Sequence, residues 1–245
     1  MARGGGTIRI GTSGYQYTHW RNVFYPAEVP KSGWFEYYAE RFDTVEINNT
    51  FYQLPPAQTF DNWKKRAPED FCYAVKLNRY ITHRKKLKAP KAALGKFLRR
   101  AERLRGTLGP ILVQLPPNWD VNEDRLAKFL EAAPRKHRWC VEFRDRRWLT
   151  DAVLALLRKH GAALCVHDMI ENHPQELTAS WTYLRFHGKS YGGSYQPEFL
   201  RGVAKRLQGY SHKGFDVYVY FNNDQGGHAA ANARDLKKCV EGAQD

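Results

Sequence analysis

Short apolar runs rich in β-branched and aromatic residues recur along this chain, separated by stretches whose apolar positions follow a helical period. The runs are TIRIG (7–11), TVEIN (44–48), CYAVKL (72–77), ILVQL (111–115), WCVEF (139–143), ALCVH (163–167), TYLRF (182–186) and VYVYF (217–221). Between them, Leu94, Phe97, Leu98 and Ala101, then Leu126, Phe129 and Leu130, then Val153, Leu156 and Leu157 return every three or four residues, as on an amphipathic helix. Strand and helix alternating in this way predict a parallel sheet, and eight strands are the number that closes a barrel. The expected fold is therefore α/β, a single (β/α)8 TIM-like barrel over residues 1–245, with residues 1–6 as a flexible tail. Its sixth unit is expected to be irregular, because DMIENHPQELTAS offers a loop or one helical turn in place of a helix. An open doubly wound sheet is the alternative, but the GxGxxG fingerprint after the first strand is absent.

In such a barrel one face of each strand packs on helices and the other points inward. Placing Val45 and Ile47 outward turns Glu46 and Asn48 inward, and the same alternation turns in Lys76 and Asn78, Gln114, Glu142 and Arg144, Arg185 and His187, and Tyr220 and Asn222. Six strands thus send polar groups of both signs to their carboxyl ends, where barrel active sites lie. An isolated ionised group in an apolar core costs several kcal/mol, so convergence on one rim is what makes these positions tolerable. A buried ion-pair network that only closes the barrel would give the same pattern.

HGKSYGGSY (187–195) follows the seventh strand and NNDQGGHAAANA (222–233) the eighth, the common phosphate-binding position of this fold. Gly226 and Gly227 before a helix would let backbone N–H groups reach an anion, with Asn222 and Asn223 fixing hydroxyls, although ordinary turn chemistry explains either loop as well. Lys189-Ser190 lacks the remaining glycine of a P-loop, and GTSGY (11–15) lacks the elbow that would make Ser13 a nucleophile. Glu46, Glu142, His167, Asp168 and His187 have the chemistry of metal ligands, but Lys76, Arg144 and Arg185 on the same rim would repel a cation. No cofactor is expected, and a divalent metal is the less favoured alternative. His167 next to Asp168 could equally be a base with its orienting carboxylate, although adjacent residues in a strand point to opposite faces.

Charge changes the picture in one place. The 245 residues carry a net charge of +14, and residues 79–105 alone hold eleven Lys or Arg against one acid. Lys96, Arg99, Arg100 and Arg103 share one helical face, and the loop before them brings His83, Arg84, Lys85 and Lys86 to the rim beside Tyr80. Such a segment suits a phosphate backbone with a base to stack, so DNA or RNA is a candidate partner; a solvated basic face is the bland alternative. Hydrophobic content of 42% with 14% aromatics supports a large core. Cys72, Cys140, Cys165 and Cys239 show no CxxC spacing and are expected as free, mostly buried thiols. With neither a signal-like start nor a membrane-length apolar stretch, a soluble cytoplasmic protein is expected, with no membrane partner and an oligomeric state the sequence leaves open.

Across nearly the whole chain the segments GTSGYQYTHW, FDTVEINNTFYQLP, FCYAVKLNRYITH, GPILVQLPPNW, VEFRDRRW, YLRFHG and VYVYFNND, with Asn232 downstream, resemble the YecE-like proteins, a domain of unknown function, family 72. The resemblance implies a single TIM barrel and no settled reaction. It also implies likeness of fold to sugar isomerases and abasic-site endonucleases, and nucleic-acid binding has been suggested for the group. Tyr15 stands where the family usually has tryptophan, which would alter a stacking contact at the rim.

Three functions follow. The first is an enzyme on a small phosphorylated or otherwise anionic substrate. There Glu46 or Glu142 is the acid or base, His187 moves a proton, Lys76, Arg144 and Arg185 neutralise the anion, and Asn48, Asn78, Gln114, Asn222 and Asn223 bind hydroxyls. The second is a nucleic-acid-binding protein or repair-type nuclease using residues 79–105. The third is a small-molecule binding scaffold without chemistry.

Overall fold

The structure, a computed structural model, describes residues 5–242. Eight strands form, β1 (Ile8–Thr12), β2 (Thr44–Ile47), β3 (Cys72–Lys76), β4 (Leu108–Gln114), β5 (Trp139–Glu142), β6 (Ala163–His167), β7 (Trp181–Phe186) and β8 (Asp216–Phe221). Each falls on an apolar run, β6 with the same ends and the others with at least one end displaced by one to three residues. The helices are α1 (Trp34–Ala39), α2 (Asn49–Tyr52), α3 (Ala57–Arg66), α4 (Lys91–Ala101), α5 (Glu123–Ala132), α6 (Asp151–His160), α7 (Pro197–His212) and α8 (His228–Glu241). The strands follow in the order β1-β8-β7-β6-β5-β4-β3-β2, and β1 and β2, at its ends, meet in a parallel bridge between Ser13 and Glu46. Alternation, strand order and bridge make this a (β/α)8 TIM-like barrel.

The chain divides into two compact units. The first comprises residues up to 46, 167–169 and 180 onward, and holds β1, β7, β8 and most of β2. Its sheet is in register, with Gly11 opposite Tyr220 and Arg185 opposite the same tyrosine from the other side. Glycine is required at 11 by crowding, since a Cβ there would lie 2.2 Å from the Thr44 carbonyl oxygen. Tyr15 is buried against Phe35 and Tyr38 instead of stacking at a rim, so its exchange for tryptophan alters the core. Of the expected tail, residues 1–4 lie outside the described residues, while Gly6 is tied by its N–H and carbonyl to Ser211 of α7.

The second unit, residues 47–166 and 170–179, holds β3, β4, β5 and most of β6. Gln114 and Glu142 are register partners on β4 and β5. Asn122 and Thr150 cap α5 and α6 by accepting from the backbone N–H three residues on, and Gly161 in the left-handed conformation ends α6. Between β6 and β7 no helix forms among the described residues, as the polar sequence implied. Thr178 takes over part of that duty, accepting from Leu164 N–H at 2.8 Å and donating to Ala162 O at 2.7 Å. Cys72, Cys140 and Cys165 are buried free thiols and Cys239 a half-buried one. No helix among the described residues is long and apolar enough to cross a membrane.

Gly11→Ala is expected to cost at least about 1–3 kcal/mol, because backbone must move to admit the methyl group. Gly202→Ala on α7, where a Cβ meets nothing within 4 Å, should instead stabilise by roughly 0.5–1 kcal/mol through helix propensity. Urea unfolding of the two variants against the wild type checks both signs.

Candidate functional site

The polar strand residues assemble into two networks, one within each unit. In the first, Glu46 and Arg185 are both 0% exposed. Glu46 Oε1 accepts from Ser13 Oγ at 2.6 Å and from Arg185 Nη2 at 2.8 Å, and Oε2 accepts from the Tyr183 hydroxyl at 2.6 Å. Arg185 Nη1 lies 3.2 Å from His187 Nε2. A guanidinium only donates, so Nε2 accepts and the ring carries its proton on Nδ1, which faces Asp168 Oδ1 at 3.2 Å. Asp168 also accepts from the backbone N–H of His187 and Gly188 and from the Tyr195 hydroxyl. Burial would raise its pKa, but these hydrogen bonds and the nearby imidazole outweigh burial and hold the carboxyl at about 2.

The loop 188–195 is fastened to this network. Asn223 donates to Gly193 O at 2.8 Å and to Asn232 Oδ1 at 2.9 Å, and Asn232 donates to Ser194 Oγ at 2.9 Å. Asn223, expected to touch substrate, thus holds a loop, and Asn222 lies half-buried beside it. Gly226 and Gly227 take left-handed backbone at φ 66° and 77°. Gly227 is buried against Val23, and the Asp224 carbonyl accepts from Trp20 Nε1 at 3.0 Å. Of the anion-binding turn expected there, Gly227 is packed under its own chain and Gly226 is exposed.

In the second unit Arg144 donates through Nε to Glu142 Oε1 and through Nη2 to Gln114 Oε1, the latter at 3.3 Å. Cys165 Sγ lies 3.8 Å from Glu142 Oε2. Lys76 Nζ sits 4.2 Å over the Phe51 ring, and the His83 ring meets the same phenylalanine edge-on at 5.0 Å. Burial first, then the charges of Lys76, Arg144 and Arg79, push the His83 pKa down to about 4 against the pull of Glu142. Its Nδ1 is engaged by Thr82 Oγ1 at 2.8 Å, which leaves Nε2 for a ligand.

Two of the expected rim amides are placed differently from a regular strand alternation, for a local reason. The chain turns after Ile47, so Asn48 immediately precedes α2 instead of extending the strand, and its Oδ1 is buried without a hydrogen-bond partner among the described residues. Asn78 donates to Thr50 O and accepts from Tyr80 N–H, which commits both ends of its amide to backbone. The basic loop is also divided. His83 faces Lys76 and Glu142, Lys86 lies over Trp119 at 6.0 Å, and Arg84 and Lys85 line an open groove.

Sequence reasoning missed Tyr183, Tyr195 and His173. Tyr183 was recoverable, being in phase with Arg185 two residues on. Tyr195 and His173 come from irregular segments that carry no periodic signal. His173 is buried, donates Nδ1–H to Pro174 O at 2.8 Å and is held below the usual imidazole range by burial. His167 and Asp168 indeed do not pair: His167 Nδ1 receives the Met169 N–H, while Asp168 serves His187. Among the described residues no group of three or more His, Cys, Asp or Glu is placed to hold a metal ion.

A family model described as a protein of unknown function, DUF72, matches residues 9–245. The chain is 24% identical over 283 residues to the UPF0759 protein YunF of Bacillus subtilis (strain 168), covering 96% of this chain and 95% of that one. It is 31% identical over 110 residues to the UPF0759 protein YecE of Escherichia coli (strain K12), covering 44% of this chain and 40% of that protein. The crystal structure of a DUF72 family protein from Thermotoga maritima MSB8 superposes with a TM-score of 0.87 at 30% identity, covering 96% of this chain and 99% of that one.

Because Glu46 and Arg185 neutralise each other out of water, Glu46→Ala is expected to cost about 3–5 kcal/mol, leaving the guanidinium buried and unpaired. Glu46→Leu combined with Arg185→Met should recover most of that loss. Denaturant unfolding of Glu46→Leu, Arg185→Met and the double variant measures the coupling.

Proposed function

This chain belongs to the DUF72 family, and on that premise we propose that it is an enzyme acting by acid–base chemistry on a small phosphorylated or otherwise anionic substrate, at the cluster of Lys76, His83, Gln114, Glu142 and Arg144. The observation that carries this reading is His83, half-buried and neutral at pH 7 within the field of three cations. An anion seated against Lys76 and Arg144 offsets the part of that depression that comes from charge, while the part that comes from burial stays. Its arrival therefore raises the His83 pKa toward the range in which a histidine exchanges protons efficiently at neutral pH. The substrate would thus switch on its own base. Glu142, fully buried and bound to Arg144, positions the guanidinium and restrains its charge.

In this reading Glu46 and His187 serve the fold. Both oxygens of the former and both ring nitrogens of the latter are engaged, and neither residue is exposed. Gln114, with its oxygen on Arg144, fixes the guanidinium plane.

Titration of the His83 ring by NMR, with and without inorganic pyrophosphate, tests the site. The expected result is a midpoint near 4 without ligand that rises when pyrophosphate is present, with the rise abolished in Lys76→Met. A midpoint indifferent to the anion would sink the reading. The sign for stability follows from the same depression. An unfolded histidine takes its proton near pH 6.5, the folded one only near 4, so acidification across that window favours the unfolded chain. His83→Gln should lose less stability between those pH values than the wild type.

A further inference from the structure

Within the second unit an open groove of about 1100 Å³ is lined by residues from 52–56, 78–90 and 92–100. Six of its lining residues are cations, Arg79, Arg84, Lys85, Lys88, Lys96 and Arg100, and none is acidic. Among the described residues none of the six is ion-paired to a carboxylate, whereas Arg103, just beyond α4, is clamped by Asp61 through two contacts. Like charges gathered along a concave wall repel one another and focus their field outward, so the groove gains most from a ligand bearing repeated negative charge.

Two tyrosines give the ligand its second attribute. Tyr52 is 65% exposed and Tyr80 45%, two of the six exposed large hydrophobic residues among those described, and both line the groove. Each ring has a groove cation nearby, Arg79 at 5.6 Å from Tyr52 and Lys85 at 5.7 Å from Tyr80. Exposed aromatic rings beside cations that have no carboxylate partner match a chain that alternates flat bases with phosphates.

The backbone is shaped to keep this arrangement. A π-helical turn spans Tyr80–Arg84, and Lys86, Leu87 and Ala89 follow with φ of 44°, 61° and 44°. A left-handed backbone is disfavoured for residues with a Cβ and persists where surrounding structure imposes it. Here it buries Leu87 as an anchor while Arg84, Lys85 and Lys88 stand in the groove wall.

We infer that this groove binds single-stranded nucleic acid, its cations taking backbone phosphates and Tyr52 and Tyr80 stacking unpaired bases. The inference goes beyond the acid–base site and is read by binding alone, so either can fail without the other. Fluorescence anisotropy with labelled oligothymidylate of about 15 nucleotides and with a duplex of equal length is the test, repeated in rising salt.

The wild type should prefer the single strand, with log affinity falling against log salt at a slope of up to about −4, near −0.7 for each phosphate neutralised. Arg84→Ala with Lys88→Ala and Lys96→Ala should weaken binding at least tenfold and flatten the slope by about 2. Tyr52→Ala with Tyr80→Ala should weaken it by a similar factor and leave the slope unchanged. Lys86→Ala and Arg103→Ala, basic residues outside the groove, should bind as the wild type does. Absence of binding at about 50 mM salt overturns the proposal, as do losses equal to those of the two controls. Unchanged affinity in the tyrosine variant also overturns it, leaving a general polyanion surface. Thermal unfolding of each variant confirms that the comparison is between folded proteins.

Discussion

A carboxylate and a guanidinium that never meet water hold the first unit together. Glu46 would be untenable where it lies without Arg185, and Arg185 without Glu46, because each loses its hydration and recovers it only in the other. Their remaining hydrogen-bonding capacity extends the pair outward, through Ser13 and Tyr183 on one side and His187, Asp168 and Tyr195 on the other. The bridge between Ser13 and Glu46 and the close approach at Gly11 belong to the same constraint. Strands joined by buried, paired charges have one register, since a slip by one residue would strand every charge.

The second unit uses charge differently. Its carboxylate, Glu142, has Arg144 as partner, but Lys76 and Arg79 add positive field and bear on His83. One network satisfies its charges internally and the other leaves an imbalance. That contrast is why the functional reading rests on Lys76, His83 and Arg144, and why Glu46, the most conspicuous residue in sequence, is assigned to the fold.

Much of the fold was legible because β-branched and aromatic runs and helical spacing are local signals. The irregular sixth unit was legible for the same reason, its polarity being visible residue by residue. Period-two alternation placed Lys76, Glu142 and Arg185 among the buried polar residues, and it failed at Asn48 where the chain leaves the strand for α2. Partnership was harder to read than orientation. Asp168 and Tyr195 are 27 residues apart and meet only through tertiary structure. In the basic loop, composition showed charge but not direction, because the π-helical turn and the left-handed residues after it send His83, Arg84 and Lys86 different ways.

Concentrating most of a +14 net charge between residues 79 and 105 has a consequence before any contact is made. A particle charged so unevenly along its chain experiences a torque in the field of an extended polyanion at separations comparable to the screening length, about 8–10 Å in physiological salt. Encounters would then be oriented ones, with rotation toward the basic segment completed during approach. Capture kinetics would depend on ionic strength even where the final complex is held mainly by stacking.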